Sequence, residues 1–446
     1  MTYIDGLSDP TPTYRESSTL SVTPAPTLGR RFLWAGLAVL VGVGSLSAAL
    51  AKDVWTIREV KAALPPGHYL VLFQNNSELR PSGGFIGSFA TVDLTATGYE
   101  NLRVDTNIYK RDNAFAEQHT IAVPGPLEGV AADNKWTMRD SNWDIDFRDA
   151  AERVSWFYQQ EGGESVDGVI AFNATVVQDL LKLTGPVALP DGSGLLDSES
   201  FFDTLHYKIE KEYFYDPINR TANEPKSILR SLIPTLITSA RSPNVFVRLP
   251  QLLKQELRER QIQLYHTNQG VEAGILNRGW GGAIAETNED FLLLSNASVG
   301  GRKSSLSIAQ RVSVALSLQN DQLRHRLTIE RTHTGDGVWP DNTNNNYLRV
   351  VVPAGATLLS ATRNGTNVTS QVLLESVRGK TVFGLHLDTP AGTTSRLEIQ
   401  YSIQSRPRRF VYQKQSGVLS EQLTVATDDR TVFDQLITAD VFVPLQ

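Results

Sequence analysis

The sequence predicts a layered, α/β/α-like domain, followed by an antiparallel β-sandwich and preceded by one transmembrane helix. Three observations predict this fold class. A charge-free apolar run lies near the N-terminus, strand-like and helix-like patterns alternate through the middle of the chain, and polar–apolar alternation dominates its last third. The predicted segments are a disordered tail at 1–31, a transmembrane helix at 32–51, a juxtamembrane helix at 52–64, an α/β domain at 65–303 and a β-sandwich with C-terminal strands at 304–446.

The N-terminal segment predicts a membrane anchor. Residues 1–31 are rich in Ser, Thr and Pro and lack hydrophobic periodicity, which is typical of disorder. Phe32–Ala51 then provides 20 residues without a charge, enough for a helix to cross one bilayer. A cleaved signal peptide is the alternative, because Ala49-Leu50-Ala51 has the small-x-small cleavage pattern. We expect a short tail inside the membrane and a long extracytoplasmic part outside it.

The composition excludes several classes of protein. A net charge of −6 over 446 residues argues against a nucleic-acid-binding protein, which normally carries a basic face. The absence of cysteine excludes disulfides, thiolate metal sites and cysteine nucleophiles. The sequence contains neither a Gly-x-Ser-x-Gly elbow nor a His-Glu-x-x-His spacing, so it favours neither a serine hydrolase nor a zinc enzyme.

Strand-like runs alternate with amphipathic helices in the middle of the chain. The helix at Asp146–Glu161 is the best defined, because its apolar residues fall on one helical face and Gly162-Gly163 follow it. Asn173 is the predicted N-cap of a helix at Ala174–Leu183. The other predicted strands are Tyr69–Phe73, Phe85–Leu94, Leu102–Ile108, Val166–Phe172 and Phe291–Leu294, and the other predicted helices are Lys52–Leu64, Ser198–Tyr213, Lys226–Arg241 and Leu249–Leu264.

After Ser304 the pattern changes to short alternating runs separated by turn residues. Such runs include LSIAQRVSVALSL, RHRLTIERTHT, NYLRVVVPAG, TVFGLHL and SRLEIQYSIQ. Alternation with period two predicts strands that bury one face, and their spacing predicts an antiparallel sandwich. EQLTVAT and DVFVPL are expected to add edge strands.

The stretch QNNSELRPSGG, at 74–84, is the first candidate binding loop. It follows an apolar strand and combines an arginine with two glycines, the residue types that bind phosphate through a guanidinium and free backbone N–H groups. The alternative is a surface β-turn at 80–83, capped by neighbouring amide side chains. The candidate ligand-binding residues are Asn75, Asn76, Glu78, Gly83 and Gly84, beside Arg80.

Two further segments combine arginine with acids. Lys110-Arg111-Asp112 ends a predicted strand, for which a solvated strand end is the simpler interpretation. Arg139, Asp140 and Asn142 precede a helix N-terminus, where acids also stabilise the helix dipole. If the three segments meet, they form a cationic cleft with carboxylates, suited to Mg²⁺ and phosphate groups. Lys303, in the predicted hinge before the sandwich, is a candidate for the rim of that cleft.

The motifs YLVLFQNNSELRPSGGFIGSFATV, RDSNWDIDFRDAAERVSWFYQQEGG and NASVGGRKS resemble the bacterial domain-of-unknown-function 4012 family, over residues 69–417. Members look like single-pass proteins of the cytoplasmic membrane with an extracytoplasmic domain, and the family name implies no activity. The order of elements is also similar, more distantly, to the LytR–CpsA–Psr family, which transfers glycopolymers from polyprenyl-pyrophosphate carriers to the cell wall. Arg80 matches one arginine of that family, and Arg111 and Asp112 match its Arg-Asp pair. Two acids of its turn motifs are missing here, where Asn75 or Asn76 and Pro81-Ser82-Gly83 stand instead.

The resemblance implies a membrane-anchored protein that binds or transfers a polyprenyl-pyrophosphate-linked glycopolymer in envelope assembly. Arg80, Arg111 and Asp112 would then be catalytic, Mg²⁺ the cofactor, and the bilayer, the carrier-linked glycan and the cell wall the partners. The alternative is a non-catalytic envelope or adhesion protein, with a degenerate α/β scaffold and a β-sandwich that recognises the partner.

Overall fold

The computed structural model describes residues 51–445, except 320, 405–406 and 429. The predicted tail at 1–31 lies outside the described residues, as does all but the last residue of the predicted transmembrane helix. Within the described part of the chain, no helix is long and apolar enough to cross a lipid bilayer.

The described residues form a series of helices and strands that we number in chain order. The helices are α1 (Ala51–Ala63), α2 (Ile108–Gln118), α3 (Phe147–Gln160), α4 (Ala174–Thr184), α5 (Phe201–Glu210), α6 (Pro217–Ala222), α7 (Ile228–Ala240), α8 (Pro243–Phe246), α9 (Leu249–Arg258) and α10 (Gln269–Asn277). The first strands are β1 (Gly67–Arg80), β2 (Gly83–Leu94), β3 (Tyr99–Asp105), β4 (Gly168–Asn173), β5 (Val187–Ala188), β6 (Leu195–Leu196) and β7 (Ile262–His266). The later strands are β8 (Asp290–Ser298), β9 (Ile308–Gln319), β10 (Gln322–His333), β11 (Asn346–Val352), β12 (Thr357–Arg363), β13 (Thr366–Asn367), β14 (Leu373–Val377), β15 (Lys380–His386), β16 (Thr394–Ile403), β17 (Arg409–Gln413), β18 (Glu421–Thr427), β19 (Arg430–Ile437) and β20 (Val441–Pro444).

A five-stranded mixed sheet in the order β3-β2-β1-β4-β7 lies at the centre of the α/β region. β1 and β4 are parallel, and the other neighbouring pairs are antiparallel. Alternate residues of β1 point to opposite faces, so Tyr69 packs with α1, α9 and α10 while Leu70 packs with α2 and α3. Helices therefore cover both faces, as the α/β/α prediction requires.

A group of helices, which we call the helical cover, forms another hydrophobic core beside this sheet. Helices α4, α5, α7, α8 and α9 pack together with the short β5–β6 hairpin around a cluster that includes Leu181, Phe201 and Leu232. Ile237 of α7 also contacts Leu102 of β3, so the cover lies against the sheet. This arrangement leaves room for a cavity between the two.

The C-terminal part is a sandwich of a seven-stranded and a six-stranded sheet. Their orders are β13-β12-β16-β10-β9-β18-β19 and β14-β15-β11-β8-β17-β20, and one apolar core joins them. Most neighbouring strands are antiparallel, but β17 runs parallel to β8 and β18 runs parallel to β9. The sandwich is therefore mixed, which corrects the fully antiparallel prediction.

Three predicted elements are wrong in kind or in place. The helix predicted over Leu249–Leu264 ends at Arg258, because Arg260 adopts a left-handed conformation (φ 59°) before strand β7. Arg111 and Asp112 lie in helix α2, after a strand that ends at Asp105 rather than Ile108. Phe291–Leu294 belongs to β8 of the sandwich, where both faces of the strand are buried, and not to the α/β sheet.

Candidate functional site

The segment at 80–83 is the turn between β1 and β2, where Arg80 pairs with Gly83. Gly83 has φ +138°, a conformation that residues with a side chain rarely adopt. At Gly84 a Cβ atom would lie 2.2 Å from the carbonyl carbon of Asn75, so the two strands approach too closely for any side chain. Both glycines are therefore explained by backbone geometry.

This turn contacts the sandwich. The Gly84 backbone N–H is already hydrogen-bonded within the protein, so it is not available to bind an anion. The Gly84 N–H donates to Asn173 Oδ1 over 3.0 Å, while Asn142 Nδ2 donates to the Gly84 carbonyl over 2.8 Å. Gln415 of the sandwich donates to the Arg80 carbonyl over 3.0 Å, and Asn76 Nδ2 donates to the Gly417 carbonyl over 2.9 Å. Asn76, Gly83, Gly84 and Asn142 thus hold the turn in place.

Arg80 is buried and already neutralised by protein groups. Its guanidinium donates to Glu78 over 3.2 Å, to Asp140 over 2.8 Å and to the Ser298 carbonyl of the sandwich. Its charge also lies 5.3 Å from the centre of the Phe85 ring. Burial raises the pKa of Glu78, against the lowering effect of Arg80. The structure therefore brings together two of the predicted segments, at 74–84 and 139–142, through one ion-pair cluster.

Arg139 links this cluster to Asp112. Its Nε atom lies 3.5 Å from carboxylate oxygens of both Asp112 and Asp140, and its guanidinium stacks over Tyr109 at 5.0 Å. Burial raises the pKa of Asp112 to about 6. Burial, and then the charge of Asp112, raises the pKa of Glu161 to about 9, so the two acids hold one proton near neutral pH.

Arg111 makes no ion pair with the carboxylates of this cluster. Its half-exposed side chain pairs with Asp105 over 2.8 Å and donates to the Glu161 carbonyl over 3.1 Å. It does not line the cavity between the five-stranded sheet and the helical cover. Arg80 and Arg139 therefore share one site, and Arg111 does not join them.

A cavity of about 860 Å³ lies between the five-stranded sheet and the helical cover. Most of its wall is apolar. The sheet contributes Val71, Phe73, Ala90, Phe172 and Ile262, and the helices contribute Val176, Leu180, Phe201, Leu205, Leu229, Leu232, Ile233 and Leu236.

One part of the wall is charged, and we call it the polar end. Its charged residues are Glu78, Arg80, Arg139, Asp140, Glu210, Lys226 and Lys303. Shared aromatic rings show that these groups lie together: Lys226 Nζ is 5.8 Å from the Phe85 ring that also contacts Arg80, and 5.1 Å from the Tyr109 ring that also contacts Arg139. Asn75 lines the same cavity, and Lys303 pairs there with Glu210 over 2.5 Å.

Lys226 is the residue that sequence reasoning missed. Its ammonium donates to the Gly87 carbonyl over 2.7 Å, and no described carboxylate lies within ion-pair distance of it. Burial lowers its pKa to about 8, with a further lowering from Lys303. In the sequence it only begins an amphipathic pattern, and no local signal marks it as a binding residue.

The polar end does not provide a recognisable metal site. No group of three or more His, Asp or Glu side chains that could hold a metal ion occurs among the described residues. The carboxylates of Glu78 and Asp140 instead contact Arg80. The Mg²⁺ prediction stays a prediction.

Comparison with known proteins identifies a family for part of the chain. Residues 65–209 match the family described as "Protein of unknown function (DUF4012)". This match supports the resemblance to that family, and it includes β1, β2 and the turn between them. The LytR–CpsA–Psr resemblance has no such support. No curated protein matches the sequence.

Solved structures give only distant similarities. A Legionella pneumophila structure described as a nutrient binding protein is 9% identical, with a TM-score of 0.23, over 31% of this chain and 54% of that chain. The M1 zinc metallopeptidase of Deinococcus radiodurans is 12% identical with a TM-score of 0.18, over 28% of this chain and 32% of its own. Yeast LTA4 hydrolase in complex with bestatin is 8% identical with a TM-score of 0.19, over 31% of this chain and 28% of its own. The chain thus spans about half of the first protein and a third or less of the others, and such TM-scores assign neither fold nor function.

Proposed function

We propose that this protein binds an anionic, long-chain lipid, such as the lipid carrier of a cell-envelope glycan, with the chain in the cavity and the head group at the polar end. The observation that carries the proposal is a single cavity whose long apolar wall ends at a cluster of charged residues. The predicted membrane anchor at 32–51 would keep this cavity close to a supply of such lipids.

The apolar wall supports the chain part of the proposal. A volume of about 860 Å³ lies within the range of small-molecule sites. Each methylene that leaves water for such a wall contributes about 0.8 kcal/mol, so several isoprene or methylene units would outweigh the cost of ordering the chain. A purely polar ligand would gain nothing from residues such as Phe172 and Leu236.

Lys226 supports the head-group part. It is a cation with no described carboxylate within ion-pair distance, and its Nζ atom lies 5.8 Å from the Phe85 ring and 5.1 Å from the Tyr109 ring on the cavity wall. A half-buried charge that lacks a counter-charge at contact distance is costly. An anionic head group would provide that counter-charge, whereas a neutral ligand would not.

The contacts favour binding without catalysis over glycopolymer transfer. Arg80 and Arg139 are occupied by carboxylates of the protein, so neither is free to stabilise charge on a transferring phosphoryl group. Arg111 lies outside the cavity. Of the two functions that the sequence leaves open, the non-catalytic envelope protein therefore fits the geometry better, with the α/β region rather than the sandwich as the recognising part.

The test is binding of a fluorescently labelled polyprenyl phosphodiester to the full chain in detergent. Ile233→Trp places an indole in the cavity, since Ile233 lies on its wall. Ile218→Trp is the matched control, because Ile218 is 75% exposed and does not line the cavity. We expect the Ile233 variant to bind at least about tenfold more weakly and the Ile218 variant to bind like the wild type.

Thermal unfolding of each variant separates loss of binding from loss of fold. Failure of the folded wild type to bind any long-chain anion would overturn the proposal. Equal binding by the wild type and a folded Ile233→Trp variant would do the same, because the chain could not then occupy this cavity.

A further inference from the structure

The charged groups on the cavity wall are nearly balanced. Among the described residues that line it, Arg80, Arg139, Lys226 and Lys303 are cations and Glu78, Asp140 and Glu210 are carboxylates. Four cations and three carboxylates therefore line the wall, and the Asp112–Glu161 pair, which holds one proton, adds a fourth negative charge behind Arg139. The remaining titratable base on the wall, His206, has its pKa lowered to about 4 by burial and then by Lys303, so it is neutral near pH 7.

The ion pairs show which cation of the wall lacks a carboxylate partner. Arg80 contacts Glu78 and Asp140, and Lys303 contacts Glu210. Arg139 contacts Asp140 and, behind the wall, Asp112.

Lys226 alone on this wall has no described carboxylate within ion-pair distance. Its charge is the one that a ligand can neutralise.

We infer that the polar end selects a head group with a single negative charge, a phosphodiester or a carboxylate, and discriminates against a pyrophosphate. This inference rests on the proposed lipid-binding function and narrows its ligand class. It also departs from the pyrophosphate-linked carrier that the sequence suggests.

The physical reason is the cost of an unpaired charge away from bulk water. One negative charge on the ligand pairs with Lys226, the lining cation that has no described carboxylate within ion-pair distance. A second charge would face Glu78 and Asp140, whose oxygens already approach Arg80 within 3.2 Å and 2.8 Å. Two like charges at short range in a low-dielectric site repel strongly, so the second charge weakens binding.

Glu210 offers a way to change this balance. Its carboxylate lies 2.5 Å from Lys303 Nζ, and both residues line the cavity. Glu210→Gln removes one negative charge and leaves Lys303 without its partner, so that two cations become available. Glu212→Gln is the matched control, because Glu212 pairs with Lys208 and does not line the cavity.

The experiment compares three ligands that carry the same farnesyl chain, namely the methyl phosphodiester, the carboxylate and the pyrophosphate. Dissociation constants are measured for the full-length wild type, Glu210→Gln, Glu212→Gln and Lys226→Met. For the wild type we expect both singly charged ligands to bind about tenfold or more tightly than the pyrophosphate. In Glu210→Gln the pyrophosphate should gain about tenfold relative to the phosphodiester, and Glu212→Gln should behave like the wild type.

The outcomes of this experiment also distinguish a failure of this inference from a failure of the proposed function on which it rests. Tighter binding of the pyrophosphate by the wild type overturns the inference and leaves lipid binding intact. An unchanged preference in Glu210→Gln, or in a folded Lys226→Met, also overturns it. If none of the three ligands binds the folded wild type, the proposed function itself fails.

Discussion

Replacing Arg80 with methionine should destabilise the fold strongly. The Arg80 side chain is 3% exposed, and it bonds to Glu78, Asp140 and the Ser298 carbonyl. Methionine keeps much of the volume but leaves the buried Glu78 without its ion-pair partner and Asp140 with only the longer contact to Arg139 at 3.5 Å. Breaking a buried ion pair in this way typically costs about 3–5 kcal/mol. We therefore expect the free energy of unfolding to fall by about that amount.

Arg111→Met is the matched control for this change. Its guanidinium is 34% exposed and pairs with Asp105 at the surface, so its loss should cost only about 0.2–1 kcal/mol. Urea denaturation followed by tryptophan fluorescence, in the same detergent for all proteins, measures both changes. Near-equal losses for the two variants, or an Arg80 variant as stable as the wild type, would refute the assignment of Arg80 to the framework.

The effect of Arg80→Met should also depend on pH. Burial already raises the pKa of Glu78, and loss of Arg80 removes a group that lowers it. A carboxyl whose folded pKa lies above its unfolded value contributes stability below the unfolded pKa and loses it as pH rises. The deficit relative to the wild type should therefore be smaller at mildly acidic pH than at alkaline pH.

Two further predictions concern backbone space and the buried acid pair. Gly84→Ala should lower the free energy of unfolding by about 1–3 kcal/mol or more, because its Cβ would lie 2.2 Å from the Asn75 backbone. Gly125→Ala is the control: its Cβ meets nothing within 4 Å, so thermal unfolding should be unchanged. Glu161 has a pKa raised to about 9, so wild-type stability should decline as pH rises from mildly acidic values through about 9. Glu161→Gln, whose amide oxygen can still accept from the Met138 N–H, should flatten that profile, and parallel profiles would contradict the shared proton.

Local patterns predicted individual elements well where one face of a helix or strand carries the signal. The helix predicted at Asp146–Glu161 is α3 (Phe147–Gln160), and Asp146 accepts the capping bond from the Arg148 N–H. The six apolar residues of the predicted face are all buried, namely Phe147, Ala150, Ala151, Val154, Phe157 and Tyr158. Asn173 does precede α4, but its side chain bonds to Gly84 and other groups instead of capping the helix. For these two helices the sequence thus predicts the residue at the N-cap position, but it does not predict which group the side chain of that residue bonds.

The candidate site was less predictable, because its residues meet only through tertiary packing. Lys226 and Gly87 are 139 residues apart in sequence, and nothing local to either one predicts their contact. Arg80, Arg111 and Arg139 look alike in sequence, each within two residues of an acid, yet only Arg111 is half-exposed. Which arginine lines the cavity depends on the element that carries it, and the sequence pattern placed Arg111 at the end of a strand, whereas it lies in helix α2.

The contacts between the β1–β2 turn and the sandwich also determine which parts of the chain can be expressed separately. The segment that matches the family, 65–209, ends before β7 and α7 and excludes every sandwich residue that holds the turn. Expressed alone, that segment would present Arg80 and its two acids to solvent and leave one edge of the five-stranded sheet unpaired. We therefore expect the smallest part of the chain that folds by itself to extend beyond residues 65–209.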